Sequence, residues 1–284
     1  MKPFSCNTQD GFTLIELSIV LVIIGLIVGG VLVGQDLVRN AEVRAQITQI
    51  EKYNTAANTF RGKYGYLPGD INSTAATQFG FAARGQYSGE GDGNGVIEGV
   101  WANWQSVGCC YDGSRQTTGE TVMFWADLSQ VHMVDGSFNT ASSNTLPGGT
   151  IPATGVSLYL PPAKMHFDSV YVWSANSINY FGLVNVGSIN ADGFSDLAAA
   201  PNIPVQQAYK IDSKIDDGLP QSGRITAQYG IGSWSDWGVS GTQAQGGYIG
   251  SCYDNGGNAG SPQQYSLEIN GGAGANCALS FQFQ

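Results

Sequence analysis

Histidine is nearly absent from this chain, with only His132 and His166 among 284 residues. Neither has a cysteine or aspartate at a motif spacing, and there is no G-x-S-x-G, H-E-x-x-H or P-loop pattern. The usual sequence routes to nucleophilic, zinc-dependent and phosphate-transfer chemistry are therefore missing, and the expectation is a protein that is not an enzyme. Charge is scarce as well. Asp, Glu, Lys and Arg make up 12% of the chain, about half the ordinary share. Bases are the rarer sign, 12 against 22 acids, for a net charge of −10. They are also unevenly placed: from Arg39 to Arg84 six bases face three acids, and beyond Arg84 five face sixteen. An acidic domain is a poor ligand for phosphate backbones, so nucleic acid is not an expected partner.

What the chain has is one long apolar run. From Phe12 to Gly34 it is interrupted by a single charge, Glu16. Spanning a bilayer as a helix takes about 20 apolar residues. A carboxylate inside lipid costs about 2.5–3.5 kcal/mol on insertion scales, so Glu16 is a functional candidate by its position alone. The segment before the run, Met1–Gly11, is short, polar and carries Lys2. A secretory signal has small residues at a cleavage site after its apolar core; here Gly34 leads directly into Gln35-Asp36-Leu37. Gly25/Gly29 and Gly30/Gly34 form two GxxxG spacings, which let helix backbones approach closely.

Gly11, Phe12 and Glu16, followed by this apolar run, resemble the N-terminal signal of type IV pilins and type II secretion pseudopilins: a basic leader ending in Gly, then Phe, then Glu five residues into the mature chain. The resemblance implies cleavage between Gly11 and Phe12 by a prepilin peptidase, N-methylation of Phe12, and assembly with other pilin subunits through an inner-membrane platform. It implies a single-pass precursor in the inner membrane with a periplasmic head, and later a filament in the periplasm or at the cell surface. Glu16 would neutralise the Phe12 ammonium of a neighbouring subunit. Many pilins have a proline where this chain has Val33, so melting of the helix there is not implied. The expected organisation is a leader at 1–11, a transmembrane and filament-core helix at 12–34, its amphipathic continuation at 35–62, and a head at 63–284. The fold class is α+β, pilin-like, with the helix packed on a β-rich, disulfide-stapled head. The expected function is that of a minor or major pilus-like subunit. The alternatives are a secretion pseudopilin or a filament-displayed adhesin.

The residues beyond Gly34 support that division. Val43, Ile47 and Ile50, then Tyr53, Ala57, Phe60 and Tyr64, recur at helical spacing until Gly65 and Pro68-Gly69. Asp70-Ile-Asn-Ser73 is expected to cap a short helix. Gly119–Val134 reads as a helix with Val122, Trp125, Ala126, Leu128 and Val131 inward, and Ala208, Ile211 and Ile215 mark another. Short strands are expected at 170–173, 179–185 and 278–283. Glycine, at 40 residues, is about twice as frequent as usual and gives the head the look of a loop-rich exported β surface. Cys6 would leave with the leader, so Cys109, Cys110, Cys252 and Cys277 remain for disulfides. Three pairings are possible. Cys252–Cys277 is favoured because the Gly-rich segment between them is poorly self-supporting; Cys109–Cys110 would then be vicinal, and a crossed pairing stays open.

Two carboxylate groups could take a hard cation such as Ca²⁺. The first is the loop Glu90-Gly-Asp92-Gly-Asn94-Gly-Val-Ile-Glu98, whose spacing is not that of an EF-hand; the second is Asp212, Asp216 and Asp217. A solvated turn is the commoner explanation of the first, and a helix end and turn explains the second as well. Trp101/Trp104 and Trp234/Trp237 could present a sugar-binding face or pack in a core.

Overall fold

The computed structural model describes residues 13–85, 89–100, 111–113, 118–138, 150–165, 168–190, 196–229, 242–243, 251–254, 262–268 and 270–283. Gly11, Phe12, Cys109, Cys110, His166 and the four paired tryptophans lie outside them. The chain divides into two compact units, Met1–Glu42 and Val43–Gln284.

Helix α1 runs from Leu14 to Tyr64. Its most apolar window has a mean hydropathy of 2.9 with none of it buried, which is long and apolar enough to cross a membrane. Within the second unit the helix changes character. Val43, Ile50, Tyr53, Ala57 and Phe60 are buried, and Ile47 and Tyr64 pack against the same core from half-buried positions. The stripe read from sequence is thus the inward face. Two polar residues share it: Gln46 and Gln49 reach a segment more than a hundred residues away. Lys164 N–H donates to Gln46 Oε1 at 2.8 Å, and Gln49 Nε2 donates to the Pro162 carbonyl at 2.9 Å. The helix ends where Gly65 takes φ +82, with its N–H on the Arg61 carbonyl.

The head has short helices α2 (Ser73–Phe79), α3 (Gly119–Gln130), α4 (Ala153–Val156) and α5 (Val205–Ile215). Its strands are β1 (Gly99–Val100), β2 (Tyr111–Asp112), β3 (Ile151–Pro152), β4 (Ser169–Ala175), β5 (Ile178–Asn190), β6 (Asp196–Ala200), β7 (Ile203–Pro204), β8 (Ile225–Thr226), β9 (Gln228–Tyr229), β10 (Thr242–Gln243), β11 (Tyr253–Asp254), β12 (Gln264–Tyr265), β13 (Ala275–Cys277) and β14 (Leu279–Phe283). The main sheet is antiparallel and built on β5, the longest of these strands. β4 and β14 flank its first half, and β3 and β6 pair with its second half. β8 pairs with the other edge of β14. Asn176 and Ser177, both with positive φ, make the two-residue turn between β4 and β5.

An aromatic cluster joins helix to sheet. Tyr53 of α1 meets Trp125 of α3 edge-on at 4.9 Å, Phe124 meets Phe283 of β14 at 5.7 Å, and Phe283 stacks on Phe181 of β5 at 4.2 Å. Each ring removed from water contributes on the order of 1.5–3 kcal/mol. Both expected helices differ in detail. α3 is buried all round from Gly119 to Ser129 rather than on one side, because Glu120, Thr121 and Asp127 find hydrogen-bond partners inside. α5 buries Ala208 and Ile211 but leaves Ile215 41% exposed, since the chain turns away at Asp216. The cap of α2 is Asn72, whose side chain accepts the Ala75 N–H at 2.9 Å, and not Asp70. Asp70 has a different task.

Candidate functional sites

At the start of α1 the sequence Thr13-Leu-Ile-Glu16 forms a capping box. The Thr13 N–H and hydroxyl both donate to Glu16 Oε2 at 2.8 Å, and the Glu16 N–H donates to Thr13 Oγ1 at 3.3 Å. Two otherwise orphaned donors are satisfied, and the Glu16 carboxylate is held at the helix entrance. Sequence reading singled out the charge of Glu16 but missed Thr13, although T-x-x-E ahead of an apolar run is the recognisable signal.

The second site lies in the head. The loop from Gly89 to Glu98 carries four glycines, Gly89, Gly91, Gly93 and Gly95, each at positive φ. A chain that repeatedly enters the left-handed region turns its N–H groups inward, and two carboxylates collect them. Asp70 Oδ1 accepts from Gly93 at 2.8 Å and Asn94 at 3.1 Å, and its Oδ2 accepts from Gly95 at 2.8 Å. Glu120, in the first turn of α3, accepts from Gly91 and Glu98 at 3.0 Å each. Asn179 of β5 fixes the loop from the other side, accepting from Ile97 N–H and donating to the Gly95 carbonyl. Asp70 and Glu120 are 1% and 0% exposed.

Carboxylate oxygens of Asp70, Asp92 and Glu120 come within 4.8 Å of one another. Burial, partly offset by the loop N–H groups, pushes Asp70 up to about 7, and the nearby Asp92 charge adds to the rise. Burial also raises Glu120 well above the carboxylate range, with Asp70, Asp92 and Glu98 adding repulsion. Such a group of hard oxygens can be neutralised by protons or by a divalent cation. Of the four loop residues expected from sequence, Asp92 belongs to this group. Asn94 donates to Asp92 Oδ2 at 3.1 Å and lies 3.5 Å from Glu98 Oε2, while Glu90 is buried nearby. Asp70 and Glu120 were missed because they stand 22 and 28 residues from Asp92, where no spacing rule operates.

The turn before Asp70 depends on Gly69, at φ +83. A β-carbon added there would fall on the Glu120 backbone carbonyl oxygen. Its N–H donates to Asp127 Oδ2 at 2.7 Å, and Asp127 also pairs with the buried Arg84 at 2.6 Å. Gly69→Ala is expected to destabilise the head by about 2–4 kcal/mol, combining left-handed strain with the collision. An unchanged melting temperature would refute that account.

The other acidic group is also assembled: Asp212, Asp216 and Asp217 carboxylates approach within 4.8 Å. Each has local work. Asp212 accepts from Tyr265 Oη at 2.8 Å and Gly218 N–H at 3.0 Å, and burial raises it to about 6. Asp216 accepts from Ile225 N–H at 3.0 Å. Hydrogen bonds from Ser222 and Leu219 hold Asp217 below the usual carboxylate range. His132 follows α3 in an exposed turn. The expected Cys252–Cys277 bond is present, closing a separation of 25 residues.

No match to the chain was found among curated proteins or solved structures. Residues 6–32 match the model of the prokaryotic N-terminal methylation motif, so this chain, with its apolar helix and β-rich head, opens on the signature shared by type IV pilins and pseudopilins.

Proposed function

We propose that the protein is a structural subunit, minor or major, of a type IV pilus-like filament. The observation that carries this reading is the methylation motif lying over the start of α1, where Glu16 is fixed by its capping box at the head of an exposed apolar helix. A prepilin peptidase would cut between Gly11 and Phe12, and the subunit would leave the inner membrane to pack helix against helix in the filament. The head would be carried on the outside of that core. The chemistry asked of the protein is assembly and not turnover. For the head cluster we propose a structural calcium ion on Asp70, Asp92 and Glu120, supported by the approach of three hard oxygen ligands.

Gly11→Glu is expected to leave an uncleaved precursor in the membrane fraction, because a side chain at the scissile bond obstructs the peptidase. Mature-sized protein from that variant would refute the assigned cleavage site. Mass spectrometry of sheared surface filaments tests the filament itself. Abundant peptides beginning at N-methylated Phe12 are expected. Mature subunit retained entirely in the periplasm would instead support a secretion pseudopilin, which shares the same processing.

A further inference from the structure

The longest strand of the main sheet is irregular at one place. Along β5 the register with β6 pairs Val186 with Ala199 and then Ser188 with Ala198, so Gly187 is the extra residue of a β-bulge. A bulge bends its strand, and a glycine inside a strand marks a place where another group can approach closely. At this bulge lies a cleft of about 450 Å³, within the ordinary range of a small-molecule site, about 300–1,000 Å³.

Much of its wall is aliphatic, with Val156 of α4, Leu160, Pro162 and Val186 of β5. Among the described lining residues the only charge is Asp168, which is 3% exposed. The backbone fixes its position. The Ala163 N–H donates to the Asp168 carbonyl and the Val170 N–H to the Pro161 carbonyl, both at 2.9 Å. These bonds tie the segment carrying Asp168 to the one carrying Pro162, whose own carbonyl is held by Gln49 of α1. Asn202 Nδ2 lies 3.5 Å from Asp168 Oδ1.

This lining restricts what can bind. A carboxylate set among apolar walls is little screened, so it repels anions and favours a cation. The excess of acids beyond Arg84, sixteen against five bases, adds to that preference. A divalent metal ion is poorly served by aliphatic walls, since it takes six or more oxygen ligands. None of the described lining residues is aromatic, so a sugar or base ring finds no stacking face. A methylene stem ending in an ammonium suits both the walls and the charge.

We propose that the cleft at the β5 bulge binds a primary alkylammonium, with its stem along Val156, Leu160 and Val186 and its charge directed to Asp168. A free aliphatic amine and a lysine side chain of another protein share this chemistry.

The test uses the full chain in neutral detergent, with isotope-labelled valine methyls read by NMR. Titration with n-pentylammonium is expected to shift the Val156 and Val186 methyl signals saturably. 1-Pentanol, equally long and uncharged, should bind at least about tenfold more weakly, and Asp168→Asn should weaken the amine by a similar factor. Ser157 lines the same cleft from an exposed position. Ser157→Trp keeps the carboxylate and should block the amine by filling the opening, so the result does not depend on how well the asparagine variant folds. N-acetyl-lysine methylamide separates the sources: affinity comparable to pentylammonium assigns a lysine side chain, and binding of pentylammonium alone assigns a free amine. Equal affinity for amine and alcohol would overturn the proposal. So would the absence of a saturable shift with pentylammonium, or undiminished amine binding by folded Asp168→Asn or Ser157→Trp protein.

Discussion

Glu16→Ala is expected to be processed normally and yet to be lost from filaments, by about two orders of magnitude or more relative to the wild-type subunit. The proposed leader removal would act at Gly11–Phe12, outside the changed side chain. It would create an ammonium on Phe12, four residues from Glu16. In lipid both charges are costly, and removing one member of a buried pair typically costs about 3–5 kcal/mol. At 1.4 kcal/mol per tenfold, that is enough to decide incorporation. The structure adds a complication and a way round it. Glu16 also closes the capping box with Thr13, so alanine removes a charge and a helix cap together. Glu16→Gln separates them, because glutamine at this position still completes a capping box. If charge pairing governs assembly, the glutamine variant should fail nearly as badly as alanine. The measurement is the ratio of subunit in sheared filaments to subunit in the inner membrane. Wild-type incorporation of the glutamine variant would eliminate the charge-pairing mechanism.

The head is expected to be more stable at pH 5 than at pH 7.5 when calcium is chelated. Asp70 and Glu120 are both shifted upward in the folded state. A carboxylate raised in this way contributes stability that is fully present below its ordinary value near 4 and is lost as pH rises through its folded value. For Asp70 that window closes at about 7. Its rise from 3.8 to about 7 corresponds to at most roughly 4 kcal/mol; Glu120 acts in the same direction. A calcium ion at this cluster would bind the ionised forms, and so should restore stability where protons no longer can. At a hundredfold excess over its Kd the gain would be about 2.7 kcal/mol, or roughly 5–10 °C in Tm for a domain of this size. Thermal melts at both pH values, each with calcium and with chelator, read the result. Asp70→Asn should flatten the pH dependence and remove most of the calcium effect. Identical Tm with calcium and chelator at pH 7.5 would exclude a cation at this cluster.

These two sites were not equally legible in the sequence. The N-terminal motif is local: Gly11, Phe12 and Glu16 stand in one short segment, and the apolar run announces itself by length. The inward stripe of α1 was readable for the same reason, since Val43, Ile50, Tyr53, Ala57 and Phe60 obey one helical period. Strands β4, β5 and β14 showed through their β-branched and aromatic residues, and the Cys252–Cys277 pairing through the weakness of the segment it closes. What did not show was tertiary. Asp70 and Glu120 meet Asp92 only because a turn at Gly69 and the first turn of α3 face the same glycine loop. α3 reads as amphipathic because its polar residues look solvent-seeking, yet Glu120 and Asp127 are buried by their partners. Local pattern identifies elements; convergence of distant carboxylates requires the fold.

The two glutamines on the inward face of α1 have a mechanical consequence. Gln46 and Gln49 engage Pro162 and Lys164 through hydrogen bonds, on a helix face that otherwise packs Val43, Ile50, Tyr53, Ala57 and Phe60 into the apolar core. Apolar surfaces resist separation but slide past one another with little directional preference. Directed hydrogen bonds do not, because a one-turn slip of about 5.4 Å would break them all. A pull along the helix would therefore load this polar pair in shear, and its three bonds would have to fail before the register changed. In a subunit drawn out by its helix, the head would follow as a fixed attachment instead of slipping along the shaft.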